Sequence, residues 1–443
     1  MQTTIAPEFK GSRDAETAEA ILRKCVHCGF CTATCPTYQL LGDELDGPRG
    51  RIYLMKQMLE GAPVTRSTQL HLDRCLTCRN CESTCPSGVE YGHLLDIGRK
   101  LVEQRVQRPL GEKAVRWLLK EGLTSPLFAP AMKVGQMMRP LLPASLKHKV
   151  PAAGDARSKL WPTRQHPRKV LMLLGCVQPA MMPNINSATA RVLDAAGIQT
   201  LVADDAGCCG AIRTHLNDQE GGLADMRRNI DAWWPLVEGL TSAGKVEAIV
   251  MNASGCGVAV KDYGHALAHD GDYAERAARI SALTRDLSEL LPDLVPLLKP
   301  KLALPRTAGE VAGDARSAGL AGERAAGAAS APARQAERLA FHPPCTLQHG
   351  QQLRGNVETH LGELGFQVHT AAVESHLCCG SAGTYSVTQP ELAYQLRDRK
   401  LGHLAQLDAQ VIISANIGCI QHLQSGTTTP VRHWIEVLDE ALA

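Results

Sequence analysis

Two short runs, "CVHCGFCTATCP" from Cys25 to Pro36 and "CLTCRNCESTCP" from Cys75 to Pro86, share one spacing, C-x2-C-x2-C-x3-C-P. In each, three thiols are forced to converge from one tight loop, and a fourth follows immediately before a proline. That geometry suits a [4Fe-4S] cube, whose iron corners lie close together and take one thiolate each. Structural zinc sites instead use two close cysteine pairs with a longer spacer. Pro36 and Pro86 fix φ and keep the chain from folding back over the ligand.

In two-cluster bacterial ferredoxins the last cysteine of each run serves the other cluster. The expected ligand sets are therefore Cys25, Cys28, Cys31 and Cys85 for one cube, and Cys75, Cys78, Cys81 and Cys35 for the second. Between the runs, the apolar spacing of Ile52, Met55 and Leu59 suits a helix rather than a short hairpin, so this module is expected to be helical.

The chain of 443 residues carries 47 basic and 45 acidic side chains, so no net field steers it onto nucleic acid. No run of about 20 uncharged apolar residues occurs, and "MQTTIAPEFKGSRDAETAEA" lacks the apolar stretch of a signal peptide. A soluble, cytoplasmic protein is expected. In that reducing compartment, 16 cysteines read as metal ligands or redox thiols rather than as disulfides.

The other eight cysteines form two sets: Cys176, Cys208, Cys209 and Cys256, then Cys345, Cys378, Cys379 and Cys419. The step from the first cysteine to the pair is 32 residues in one set and 33 in the other, and the step from the pair to the last is 47 against 40. An internal duplication is the simplest account. The runs "KVLMLLG", "VEAIVMNAS", "RLAFHPP" and "AQVIISAN" look like buried strands, with helical patterns such as "NSATARVLDAAG" and "ELAYQLRDRKLGHLAQ" between them. This is β-α-β with parallel strands, and it sets the cysteines at strand carboxyl ends, where open α/β sheets bind ligands. Gly207, Gly210, Gly255, Gly380 and Gly418 either let backbone pass close to an inorganic group or serve as turn glycines. Each Cys-Cys pair suggests two irons of a cluster, a vicinal redox pair, or one ligand beside a buried thiol.

The Cys-Cys-Gly repeats resemble the cysteine-rich domain of the heterodisulfide reductase catalytic subunit, which binds unusual clusters through five cysteines, the last two spaced Cys-x-x-Cys. Here Ala259 and His422 stand where that fifth ligand would be. The resemblance therefore implies four cysteines per repeat as candidates for a further cluster or a redox thiol set, with His422 as an additional candidate ligand. From "CVHCGFCTATCPTYQLLGDELDGPRGRIYLMKQ" through "AGCCGA", "FHPPCTLQHGQ", "SHLCCGSAGTYSVT" and "SANIGC", nearly the whole chain resembles the glycolate oxidase iron-sulfur subunits. Subunits of anaerobic glycerol-3-phosphate dehydrogenase and of D-lactate dehydrogenases are more distant relatives with the same arrangement. The resemblance implies a three-subunit enzyme in which flavin-bearing subunits oxidise glycolate to glyoxylate. This chain would then pass electrons to a membrane quinone from a peripheral position on the inner face of the cytoplasmic membrane.

The residues themselves favour electron transfer over substrate chemistry. No G-x-G-x-x-G follows a predicted strand, and there is no P-loop or nucleophile elbow. No catalytic residue is expected, and substrate chemistry would belong to a flavin-bearing partner. Arg49 and Arg51 in "GPRGR" either stabilise the charge of a reduced cluster or form a basic turn at a helix start. His342 and His376 read as packed or hydrogen-bonding neighbours of the repeat cysteines. "SPLFAPAMKVGQMMRPLLPASLKHKV", residues 125–150, reads as a linker helix, a membrane-surface contact or a partner contact.

The expected architecture is multidomain: a helical ferredoxin module followed by two duplicated α/β domains with mainly parallel sheets. Its divisions are a ferredoxin domain at 1–110, a helical connector at 111–165, a first cysteine-rich domain at 166–300, an Ala/Gly/Arg-rich linker at 301–337 and a second cysteine-rich domain at 338–443. Three functions compete: an electron-transfer subunit of a flavin-linked hydroxy-acid dehydrogenase, a thiol-disulfide reductase, and a metal-stabilised scaffold without redox chemistry.

Overall fold

The computed structural model describes residues 1–143, 147, 150–154, 156–302 and 337–443. The linker expected at 301–337 thus falls almost wholly outside the described residues.

The N-terminal module is built from helices, as the 3.6-residue spacing predicts. Ser12 opens the first, Arg13–Lys24, by accepting a hydrogen bond from the Ala15 amide at 3.3 Å. Helices Pro48–Leu59, Arg66–Asp73 and Tyr91–Arg105 pack with it around Leu22, Ile52, Met55, Leu59, Leu72, Leu94 and Leu95. The connector follows as Leu110–Thr124 and Phe128–Met138. These two helices bury no residue fully and leave Trp117, Leu118, Val134 and Met137 in solvent.

Two four-stranded parallel sheets then repeat one topology. The first has order β2-β1-β3-β4, from β1 (Arg168–Met172), β2 (Ile198–Leu201), β3 (Ala248–Met251) and β4 (Thr284–Asp286). The second has order β6-β5-β7-β8, from β5 (Arg338–His342), β6 (Gln367–Thr370), β7 (Val411–Ser414) and β8 (Val431–His433). Central strands pair Val170 with Ala248 in one sheet and Leu339 with Val411 in the other. The four strands read from sequence are these central ones, β1, β3, β5 and β7. The outer strands lack that signature: β2 and β6 are half-exposed and partly polar, and β4 and β8 are only three residues long.

One apolar core runs through both repeats, from Val170 and Val250 to Phe341, Ile413 and Trp434. Polar contacts cross the same boundary. Arg157 and Arg191 reach Asp439 at 2.7 and 2.8 Å, and His433 Nε2 donates to the Asn252 carbonyl at 2.9 Å. The duplication has therefore produced two lobes with a shared interior.

Candidate metal centre

The two cysteine runs fold into loops of matching backbone. His27 and Gly29 in the first, and Thr77 and Arg79 in the second, all have φ between 56° and 86°. In each loop the two lie on either side of the second cysteine, Cys28 or Cys78. Left-handed backbone at three non-glycine positions is costly, and such strain collects at binding sites.

Two cavities open at these loops. Cys25, Cys28, Cys31 and Cys85 all line the first, which Arg49 also borders. Cys35, Cys75, Cys78 and Cys81 all line the second, with Arg51 and Thr37. Pro48, Cys81 and Tyr91 belong to both walls, so the cavities are immediate neighbours. Their exposure differs. Cys28 is exposed and flanked by solvent-facing Val26 and Phe30, whereas the second quartet is entirely buried.

Buried donors surround the second cavity. The Thr77 amide donates to Cys75 Sγ at 3.4 Å, the Tyr91 hydroxyl at 3.7 Å, and Thr37 Oγ1 lies 3.3 Å from Cys35 Sγ. Arg51 is fully buried. It donates to the His71 carbonyl at 2.7 Å and to Thr37 at 3.1 Å, and lies 3.5 Å from Asp46. Burial opposes its charge, but the sulfurs of Cys75 and Cys35, with Tyr91 and Asp46, outweigh that and raise its pKa. Arg99 donates to the carbonyls of Leu72 and Cys75 at 3.0 and 2.7 Å. Arg49, by contrast, is an exposed partner of Glu44 at 2.6 Å. The two arginines read together from "GPRGR" thus differ in kind. Arg99 and Tyr91 escaped the sequence reading because they lie outside the cysteine runs.

Burial pushes the Cys31 thiol up to about 11, with Cys25 adding to it, and raises Cys78 and Cys81 as well. Such thiols keep their protons until a cation replaces them. The chemistry of the donor set therefore fits a thiolate-ligated cluster in each cavity.

In each repeat the four cysteines gather beyond the carboxyl ends of the two central strands, where the strand order reverses, the usual ligand position in such sheets. In the first repeat, Cys208 contacts the thiols of Cys176 and Cys209, and Cys209 contacts Cys256. The Cys176 and Cys209 thiols, with the amides of Gly210 and Ile212, hold Cys208 well below the usual thiol range despite its burial. In the second, Cys345 Sγ lies 3.7 Å from Cys378 Sγ, and Cys379 contacts both Cys378 and Cys419. Among the described residues all sixteen cysteines are free thiols.

The glycines beside these thiols serve packing. Gly210 and Gly380 both have φ of +89°. A Cβ at Gly210 would lie 2.9 Å from the Gly222 carbonyl oxygen, and one at Gly380 would overlap that of Ala393. Cβ atoms at Gly207, Gly255 and Gly418 would meet Arg228, Asn416 and Ser381. Close approach to a neighbouring helix or side chain is needed at these positions. His422 is also engaged elsewhere: its Nε2 donates to the Ala393 carbonyl at 3.1 Å and its ring stacks on Tyr394. The histidine that faces the second quartet is His342.

The lobes meet the N-terminal module differently. Cys78 packs in one buried cluster with Leu76, Cys345, Cys378 and Tyr385, and the Tyr385 hydroxyl donates to the Arg74 carbonyl at 2.9 Å. The first repeat touches the module through His93, 3.1 Å from Asp262 and stacked on His265.

Comparison with known proteins agrees with this division. Residues 21–89 match the 4Fe-4S dicluster domain family, and residues 170–261 and 339–424 each match the cysteine-rich domain family. Along its whole length the chain is 53% identical to the "Glycolate oxidase iron-sulfur subunit" of Escherichia coli, covering 99% of that protein. It is 28% identical to the "Probable glycolate oxidase iron-sulfur subunit" of Bacillus subtilis, over 95% of this chain and 92% of that one. A "Lactate utilization protein A" from Geobacillus thermodenitrificans is 22% identical over 61% of this chain and 98% of its own.

Proposed function

The chain belongs to the family of glycolate oxidase iron-sulfur subunits, and from that membership we propose that it is the electron carrier of a flavin-linked glycolate dehydrogenase. It would receive electrons from flavin-bearing subunits and deliver them to a membrane quinone. In this reading Cys25, Cys28, Cys31 and Cys85 hold one [4Fe-4S] cluster, and Cys75, Cys78, Cys81 and Cys35 hold the other. Such a cluster, when bound, supplies one-electron transfer at a potential set by charge, hydrogen bonding and burial.

The observation that carries this proposal is the crossing of the quartets. Cys85 lines the cavity of Cys25, Cys28 and Cys31, Cys35 lines the cavity of Cys75, Cys78 and Cys81, and Cys81 and Tyr91 form part of both walls, which supports the crossed reading. Arg51, Arg99, Thr37 and Tyr91 set positive charge and donors around the inner site, which favours the reduced form there. The outer site reaches the surface at Cys28, beside Val26 and Phe30, where a redox partner can approach.

No helix among the described residues is long and apolar enough to cross a membrane, so contact with the quinone pool would be peripheral. The solvent-facing Trp117, Leu118, Val134 and Met137 offer the flavin subunits an apolar docking face. Glycolate as fuel is tested by co-purifying the complex and following dye reduction with glycolate, D-lactate and glycerol 3-phosphate. Preference for glycolate is expected. Preference for D-lactate would instead make this chain the electron carrier of a D-lactate dehydrogenase. Disulfide reduction without a flavoprotein would replace the proposal with a thiol enzyme.

A further inference from the structure

With the repeats aligned on Cys176 and Cys345, one buried position separates them chemically. His342 ends β5, and the matching position after β1 holds Leu173. His342 has no exposed surface, yet neither of its ring nitrogens has a hydrogen-bond partner. A buried polar group left unmatched is expensive, and in a native fold such a group calls for an unseen partner. Its surroundings indicate which. One ring nitrogen lies within 4.8 Å of the sulfurs of Cys379 and Cys419, which also lie within 4.8 Å of each other.

We propose that His342, Cys379 and Cys419 bind a single divalent transition-metal ion, zinc or iron(II), in the second repeat, at a centre with no counterpart in the first. The inference is independent of the cluster assignment in the N-terminal module. A tetrahedral ion about 2.0 Å from nitrogen and 2.3 Å from sulfur gives donor–donor edges of about 3.5–3.8 Å, so these three groups need close by only about 1 Å. The ferredoxin quartets supply an internal control. No three of their sulfurs form so compact a group among the described residues, and neither do the cysteines of the first repeat. Separated thiolates suit the separate corners of a cube; a compact nitrogen and sulfur set suits one ion. The other compact set, Asp43, Asp46 and His71, is already neutralised, because Asp46 accepts from Arg51 and Arg74.

The imidazole is prepared to ligate. Neither ring nitrogen is engaged in a hydrogen bond, so a ring nitrogen can turn its lone pair to an ion. Binding would displace the thiol protons of Cys379 and Cys419 to solvent. Cys378, in contact with Cys379, is a further donor for the fourth position.

The test is zinc and iron analysis of the full chain as isolated, in the wild type and in His342→Leu, which installs the side chain the first repeat already carries. The expected result is loss of about one metal ion per chain, with the iron and EPR signals of the ferredoxin clusters unchanged. X-ray absorption at the edge of the ion found, in wild type, should show a light scatterer beside sulfur. An all-sulfur shell, no metal beyond the cluster iron, or metal unchanged by His342→Leu would overturn the proposal. So would the loss of four irons together, which would make the centre a cluster. Should His342→Leu fail to fold, His342→Cys serves instead. It keeps a soft donor and is expected to retain the ion while losing the light scatterer.

Discussion

Two duplications coexist in this chain, and in each of them the cysteines of one copy are more open to solvent than those of the other. The Cys25–Cys31 loop is open at Cys28, whereas the Cys75–Cys81 loop is covered. Cys176 and Cys256 are half-buried, whereas Cys345 and Cys419 are buried. The two buried copies meet where Cys78 packs against Cys345 and Cys378. Equal sequence spacing therefore does not mean equal surroundings. The open copies keep access to solvent and partners, and the covered ones have gained charged side chains fully removed from water. Arg51 serves the inner cluster cavity, and Lys400 serves the second repeat, where it donates to the Glu374 and Ser375 carbonyls. At the corresponding task in the first repeat stands a neutral residue, Asn229, which ties Gly207 to the Cys208 carbonyl.

The largest expected effect that sharpens this contrast is at the paired glycines. Gly380→Ala combines a left-handed penalty with overlap on a helix carbonyl and should cost about 2–5 kcal/mol. Gly210→Ala, with more room, should cost about 1–3 kcal/mol. Denaturant unfolding compares them, and equal costs would contradict the tighter packing of the second repeat. Lys400→Met comes next. It strips two partly buried carbonyls of their donor and should lose about 1–3 kcal/mol. A neutral outcome would show that the buried ammonium costs as much as its contacts return.

Tyr385→Phe removes the hydroxyl that ties the second repeat to Arg74, for about 1 kcal/mol. The smallest effect is at the other junction. Burial lowers the pKa of His93, but Asp262 more than offsets it, and the net shift is upward, with Arg79 opposing and Asp96 assisting. A raised histidine contributes fully below about pH 6.5 and loses that contribution as pH climbs through its folded value. Raising the pH from 6 to 9 should therefore weaken this junction by less than about 1 kcal/mol, and His93→Gln should flatten that part of the profile.

Much of this was legible in the sequence, because cysteine spacing encodes local geometry. The two runs marked both loops, the repeated Cys-Cys pairs marked the duplication, and four apolar runs marked its central strands. Helix periodicity placed Ile52, Met55 and Leu59 inward. What escaped depends on tertiary approach. Arg99 and Lys400 sit within helices far from the cysteines in sequence, and only folding carries them to a thiol site. His342 reads as one more apolar-flanked histidine until both its nitrogens are found without partners. At Gly210 and Gly380 the need for space comes from the backbone of a neighbouring helix, which no local pattern displays.

The claim on which the account rests is that the two cysteine runs exchange their last ligands. EPR of reduced Cys35→Ala tests it most directly. The account predicts loss of the signal belonging to Cys75, Cys78 and Cys81, with the signal of Cys25, Cys28 and Cys31 retained. Loss of the latter, with the former intact, would contradict it.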